Sequence, residues 1–142
     1  MGQDSGYAVI DLETTGFGKF DRIVEIGVVQ LGPDLSVERT WRTLVQPMRD
    51  IPNTHIHGIS ATDVVDAPTF DQVADELRGL MQGRTPVAHN ASFEKRFLQT
   101  ELAMAGMANW VPEAWVDTMR LAREHMGVGK LSEALALANI TN

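Results

Sequence analysis

The hydrophobic period of this 142-residue chain changes near residue 60, and that change limits its fold more than any other feature. Before it, apolar residues recur as they do in strands. Tyr7-Ala8-Val9-Ile10-Asp11 is a short apolar run ended by a turn at Gly16 and Gly18. Arg22 to Leu31 is rich in β-branched residues and closes on Gly32-Pro33-Asp34, a strong turn signal. Val37 to Val45 alternates apolar and polar residues, as a half-buried strand does, until Pro47. Short turns between three such segments favour an antiparallel meander. After the change the spacing is helical. Ser60-Ala61-Thr62-Asp63 matches a capping box and predicts one short helix. Thr69-Phe70-Asp71-Gln72 is a second such box, and Phe70, Val73, Ala74, Leu77 and Leu80 follow at helical spacing up to Gly83. Thr85 to His89 predicts a short strand. Asn90 is then placed to cap a helix through about Ala105, with Phe93, Phe97 and Leu98 inward and Gly106 as its stop. Trp115-Val116 predicts a last short strand and Asp117 the cap of a helix to His125, while Leu131, Ala134, Leu135 and Ala138 mark a final helix. The expected fold is α/β: a mixed sheet, an antiparallel three-strand meander followed by parallel strands, with helices packed on it in one domain.

Charge raises a question that composition leaves open. A protein that grips nucleic acid through its phosphates is usually basic, because neutralising phosphates releases counterions. This chain has a net charge of -7. It is therefore either no nucleic-acid protein, or one whose acidic residues hold cations that meet the phosphates for it. No apolar run is long enough to cross a bilayer, so no membrane partner is expected. The absence of cysteine excludes disulfides and thiolate metal sites and fits a reducing cytoplasm, the expected location.

Two segments bear on the question. Asp11 and Glu13 stand at i and i+2 of a strand, so both carboxylates point to one side. Like charges held that close repel, a cost acceptable with a cation between them, and hard oxygen ligands suit magnesium or manganese. Thr14-Thr15-Gly16 follows at once, with hydroxyls and a tight turn. An acidic strand end before an ordinary turn reads the same way. The second segment, His89-Asn90-Ala91-Ser92-Phe93-Glu94, sets an acid one turn into a helix beyond a strand end. There Glu94 could equally do no more than complement the helix dipole, and His89 and Asn90 could be strand-end and capping residues.

Together, in this order and on these elements, the segments resemble the DEDD exonucleases of the histidine branch. This is the DnaQ-like group that includes the proofreading epsilon subunit of bacterial DNA polymerase III, oligoribonuclease and ribonuclease T. Asp-Leu-Glu-Thr-Thr-Gly (11 to 16) resembles that family's first motif, and Arg22-Ile-Val-Glu-Ile-Gly-Val-Val its second strand. His55-Ile-His-Gly-Ile59 is similar to its His-Gly-Ile turn, 89 to 98 to its second motif, and Asp117 to Ala122 to the helix start that comes after it. The likeness runs from about Tyr7 to Asn142. It implies a ribonuclease-H-like fold and a metal-dependent 3′→5′ exonuclease. Such an enzyme hydrolyses single-stranded nucleic acid, DNA by preference here, to nucleoside 5′-monophosphates with two divalent cations, Mg2+ or Mn2+. The implied catalytic and metal-holding residues are Asp11, Glu13 and Glu94. Thr14, Thr15, Gly16, His57, Asn90 and Phe93 are the implied substrate-binding set. The implied partners are the 3′ end of single-stranded DNA or RNA and a DNA polymerase subunit.

The sequence departs from the family pattern in two places. The third acid is normally aspartate, and here it is Glu94, whose extra methylene lets it reach a metal in another rotamer or displaces the metal. The last motif, a histidine followed after four residues by aspartate, does not occur. His125 does not match the general base. Asp117 is expected to be a helix cap and Glu25 a structural residue. A fragment of a longer enzyme and a shortened, inactive relative both account for this. The amphipathic run Leu131 to Ile140, without a terminating cap, favours the fragment, so the 142-residue domain is expected to be an impaired form of an active parent. The rival readings are a non-catalytic module that binds a polymerase or a 3′ end, and an RNA-trimming exoribonuclease.

Overall fold

The computed structural model describes residues 6–107 and 110–125. Within them, the meander and the later helix–strand alternation build one five-stranded sheet, ordered β3-β2-β1-β4-β5. The strands are β1 (Tyr7–Thr14), β2 (Ile23–Leu31), β3 (Val37–Leu44), β4 (Thr85–Ala88) and β5 (Val116–Asp117). The helices are α1 (Thr54–His57), α2 (Phe70–Met81), α3 (Ala91–Met104) and α4 (Thr118–His125). β1 pairs antiparallel with β2 and parallel with β4, as the change of period requires. The final helix expected on Leu131, Ala134, Leu135 and Ala138 lies outside the described residues.

One face of the sheet makes the core. Ala8, Ile10 and Leu12 on β1 alternate inward and meet Ile26 and Val28 of β2. α2 lays Phe70, Val73, Ala74, Leu77, Leu80 and Met81 against them, and α3 adds Phe97, Leu98 and Leu102. Burying each of the larger side chains contributes on the order of 1.5–3 kcal/mol. At the start of α2 the expected capping box is present: the Thr69 N–H donates to Gln72 Oε1 at 3.0 Å. Gly106 takes φ +77 just past α3, the left-handed geometry that ends a helix.

β1 runs to Thr14, because Leu12 and Thr14 continue the buried side and pair with Ile26 and Ile23. Two local expectations change. Ser60 and Asp63 do exchange capping hydrogen bonds, yet no helix forms after them. Only i→i+3 turns form, at Asp63, Val65 and Ala67. The β-branched Thr62, Val64 and Val65 disfavour a helix there, and Pro68 forbids it a further turn. Val64 is instead buried with Val24 and Ile59 in a small second cluster. A one-turn helix, α1, stands just before this segment, and the periodicity did not predict it.

The shortness of β4 opens a place for a site. It pairs with β1 only from Tyr7 to Val9. Past Val9, the edge of β1 on that side has no neighbouring strand, and the N-terminal turn of α3 comes up against it.

Candidate active site

Asp11, Glu13 and Glu94 lie near enough along that edge for their charges to act on one another, Asp11 on Glu13 and both on Glu94. Asp11 and Glu13 leave β1 on the face opposite the core, with Gly27 and Glu25 as their cross-strand partners. Glu94 sits in the first turn of α3, only 5% exposed. Loss of hydration raises the pKa of all three. For Asp11 the charge of Glu25 adds to it, and for Glu13 the charge of Asp11. Glu94 is pushed up to about 9, by burial first and by Asp11 next, and the Leu12 backbone N–H only partly opposes this. Its Oε2 is buried and has no hydrogen-bond partner among the described residues. Buried polar atoms are almost always satisfied, so this oxygen calls for a proton or a cation.

The donor set is that of a hard divalent cation: carboxylate oxygens, mutually repelling, with one oxygen unsatisfied. Among the described residues, however, no three His, Asp or Glu side chains are gathered closely enough to hold a metal ion as they stand. A cation would have to draw the three carboxylates inward.

The turn after β1 is held by residues of its own. Thr14 Oγ1 donates to the Gly16 carbonyl at 2.7 Å, and Thr15 Oγ1 donates to Asp21 Oδ1 at 2.7 Å. Asp21 Oδ2 accepts the Gly18 N–H at 2.8 Å. The Thr15 hydroxyl holds the Asp21 carboxyl below the usual carboxylate range, with the Gly18 N–H and Arg49 assisting against some burial. Gly16 has a steric reason to be glycine, since a Cβ there would lie 2.5 Å from Asp21 Oδ2. Both threonine hydroxyls are thus spent on the turn, and the Thr15 N–H is bonded to the Arg22 carbonyl at 2.8 Å. His57 closes the same region from α1. The Ile59 N–H donates to Nδ1 at 3.1 Å, which puts the ring proton on Nε2, facing the Thr14 carbonyl at 3.1 Å. Gly58, at φ +77, makes the turn that permits this. Both ring nitrogens are thus engaged within this turn.

At the start of α3, Asn90 holds the capping position without capping. Its φ is 81, and its side chain caps no backbone N–H of the helix, accepting instead the Ser92 hydroxyl at 3.3 Å. Asn tolerates this left-handed conformation better than most residues. The capping work is done by Asp117, whose Oδ1 accepts from the N–H groups of Asn90 and Met119 at 3.0 Å each. Burial pushes the Asp117 carboxyl up, and the backbone N–H groups of Asn90, Ala91, Arg120 and Met119 outweigh it. Asp117 is therefore a cap, as expected, though it serves two helix starts. Phe93 lies half-buried between Phe97 and the exposed Phe17, with ring centroids 4.7 and 5.6 Å away. His89 Nδ1 lies 3.1 Å from Thr118 Oγ1, and its charge would favour ionised Asp11.

Over residues 8–140 the sequence matches the RNase T exonuclease family. The chain belongs to that family. It is 36% identical over 123 residues to the PolC-type DNA polymerase III of Clostridium perfringens, covering 84% of this chain and 8% of that protein. It is 34% identical over 100 residues to the DNA polymerase III epsilon subunit of Rickettsia felis, covering 68% of this chain and 44% of the subunit. The chain thus spans less than half the length of these relatives. Among solved structures it resembles exonuclease X in complex with 5′ overhanging duplex DNA, at 32% identity and a TM-score of 0.67 over 96% of this chain and 74% of that one. The nuclease domain of a DEDDh-family 3′-exonuclease bound to rAMP shares the fold, with a TM-score of 0.75 at 19% identity over 94% of this chain and 78% of that one. The ribonuclease-H-like architecture expected from the sequence is the one these exonucleases share.

Two supports of this family member's site went unread in the sequence. Arg22 and the buried Glu101 form a part-exposed two-pronged ion pair, Nε to Oε2 at 2.9 Å and Nη2 to Oε1 at 2.7 Å, and the Ile23 N–H adds a third bond to Glu101. The Arg22 backbone also exchanges hydrogen bonds with Thr15. This pair therefore ties the helix that carries Glu94 to the turn beyond Asp11 and Glu13. A glutamate on the apolar stripe of α3 was the available signal. Asp21 is the other support, signalled only by two nearby glycines.

Proposed function

We propose that this chain is the hydrolytic domain of a metal-dependent 3′→5′ exonuclease. It shortens single-stranded nucleic acid, DNA in preference to RNA, and releases nucleoside 5′-monophosphates. The observation that carries this reading is Glu94: a buried carboxyl with an unsatisfied oxygen, set beside Asp11 and Glu13 in a family of exonucleases. Asp11, Glu13 and Glu94 would hold the divalent cations, Mg2+ or Mn2+. When bound, these supply an activated water and stabilise the leaving 3′-oxygen.

The protein's own residues do the rest. Glu94 keeps its proton while the site is uncharged and gives it up when positive charge arrives, so the three acids become one anionic cradle. The Leu12 N–H favours the ionised forms of both Asp11 and Glu94. The backbone from Thr14 to Gly16, fixed from beneath by Asp21 and from the side by His57, receives the terminal sugar. Phe93 offers its ring to the terminal base, where base–aromatic stacking is worth about 1–3 kcal/mol. Asn90 lines the same mouth. Likeness to polymerase III epsilon and PolC-type proteins makes a DNA polymerase the favoured protein partner, with proofreading or repair as the setting.

A second reading has its own support. The three acids are not gathered tightly enough to hold a metal as they stand. This would suit a module that binds a polymerase or a 3′ end without cutting. One assay decides: 5′-labelled single-stranded DNA and RNA oligonucleotides are incubated with the chain and Mg2+ or Mn2+, with EDTA as control. Ladder-like shortening that EDTA stops supports the enzyme, and the DNA-to-RNA ratio tests the substrate preference. Binding without shortening supports the module.

A further inference from the structure

The sheet face that carries Asp11 and Glu13 also carries a cation. Cross-strand pairing aligns Asp11, Gly27 and Arg42 in one row over β1, β2 and β3. Beside this row Glu13 stands directly opposite Glu25. Two like charges in that relation destabilise a sheet. Arg42 Nε donates to Glu25, which relieves part of the repulsion, and its charge also bears on Asp11 and Glu13. Gly27, between them, has no side chain to separate the guanidinium from Asp11.

Stability does not explain this arrangement. The Arg42 side chain is 74% exposed, and exposed ion pairs are worth little. Geometry gives a better account. One N–H of the guanidinium is used on Glu25, and among the described residues its two Nη groups have no hydrogen-bond partner, so four donors face solvent beside the acids. In a chain of net charge -7, affinity for a polyanion depends on where the few cations are placed.

We propose that Arg42 is a substrate-binding residue: anchored by Glu25 on the sheet face beside Asp11 and Glu13, it donates through its Nη groups to a phosphate of the bound single strand. This rests on the nucleic-acid function proposed for the site, and the experiment separates the two. Binding of a labelled oligothymidylate to the chain is measured across a series of salt concentrations, with Ca2+ in place of Mg2+. Wild type should bind with a clear salt dependence. Arg42→Gln should weaken binding several-fold at low salt and make the log–log salt slope shallower by about 0.7, the value of one phosphate contact on a single strand. Arg42→Lys should keep most of the slope. Arg78→Gln, which removes the same charge from the exposed side of α2, should leave it unchanged. If wild type binds and Arg42→Gln keeps the full slope, or if Arg78→Gln lowers it as much, the assignment of Arg42 is overturned while the nucleic-acid function stands. If wild type does not bind, both fall.

Discussion

Glu94 and Glu101 lie on the same helix, seven residues and about two turns apart, and both are buried, at 5% and 2% exposure. Their surroundings are opposite. Glu101 receives two bonds from Arg22 and one from the Ile23 N–H. Glu94 faces Asp11 and Glu13 and keeps one oxygen without a partner among the described residues. The fold has supplied the counter-charge for one buried carboxylate and withheld it from the other. A buried acid completed by the chain itself fastens the structure, whereas one left incomplete is held ready for something that arrives from outside.

The largest effect should come from removing the completed one. Glu101→Gln leaves the part-exposed Arg22 guanidinium without its charged partner, and losing such charged hydrogen bonds costs about 1.5–3 kcal/mol. Glu94→Gln replaces a carboxyl that keeps its proton near neutral pH with a neutral group of similar shape, and should cost little. Urea unfolding of the two variants measures the difference. Equal losses would show that Glu94 is as well satisfied as Glu101, and the contrast would dissolve.

The next effect is the response to a cation. Mg2+ or Mn2+ at a hundredfold excess over its dissociation constant should stabilise wild type by about 2.7 kcal/mol, and EDTA should reverse this. Asp11→Ala and Glu94→Gln should stay folded and lose the response. A cation response that survives in both would place the metal elsewhere, and cleavage that survives Asp11→Ala would refute the site.

The contrast between these two glutamates was half legible in the sequence. Asp11 and Glu13 could be placed on one side of a strand because strand periodicity is two, and Glu94 on a first helical turn because a strand end and capping position preceded it. The core face of α2 followed from helical spacing alone. Glu101 was missed because its partner is 79 residues away, and no local pattern encodes that distance. The same holds for Asp117, which caps α3 from the neighbouring strand, 27 residues on in the chain, while Asn90 occupies the capping position. The helix expected after Ser60 failed for another reason: the capping hydrogen bonds form, but burial of Val64 and the nearby Pro68 decide the backbone.

A separate effect concerns pH without metal. The unfolded chain ionises the residue 94 carboxyl near 4.5, and the folded chain does so only at about 9. Between these values the folded state binds a proton that the unfolded state has lost. Stability is therefore fully present below 4.5 and is lost as pH rises toward 9, by at most about 1.4 kcal/mol per unit. The raised carboxyls of Asp11 and Glu13 act in the same direction at the acid end. Thermal melts from pH 5 to about 9 should show this decline in wild type and a flatter profile in Glu94→Gln. A decline unchanged by that substitution would mean the proton is held by another group.

The smallest change asks whether the extra methylene of Glu94 is useful. Glu94→Asp should alter stability by no more than about 1 kcal/mol, since it keeps the carboxyl and removes one buried methylene. Its consequence should appear in cation binding. Glu94 lies within the influence of the Leu12 N–H and of Asp11, and aspartate would draw the carboxylate back towards α3. Cation affinity should therefore fall, by up to about tenfold or 1.4 kcal/mol, and cleavage should fall with it. A rise in both would mean that glutamate overfills the site and that the aspartate usual in the family binds better. An unchanged affinity with a lower rate would separate holding the cation from placing it, and would give residue 94 a role in geometry that its buried, unsatisfied oxygen alone does not require.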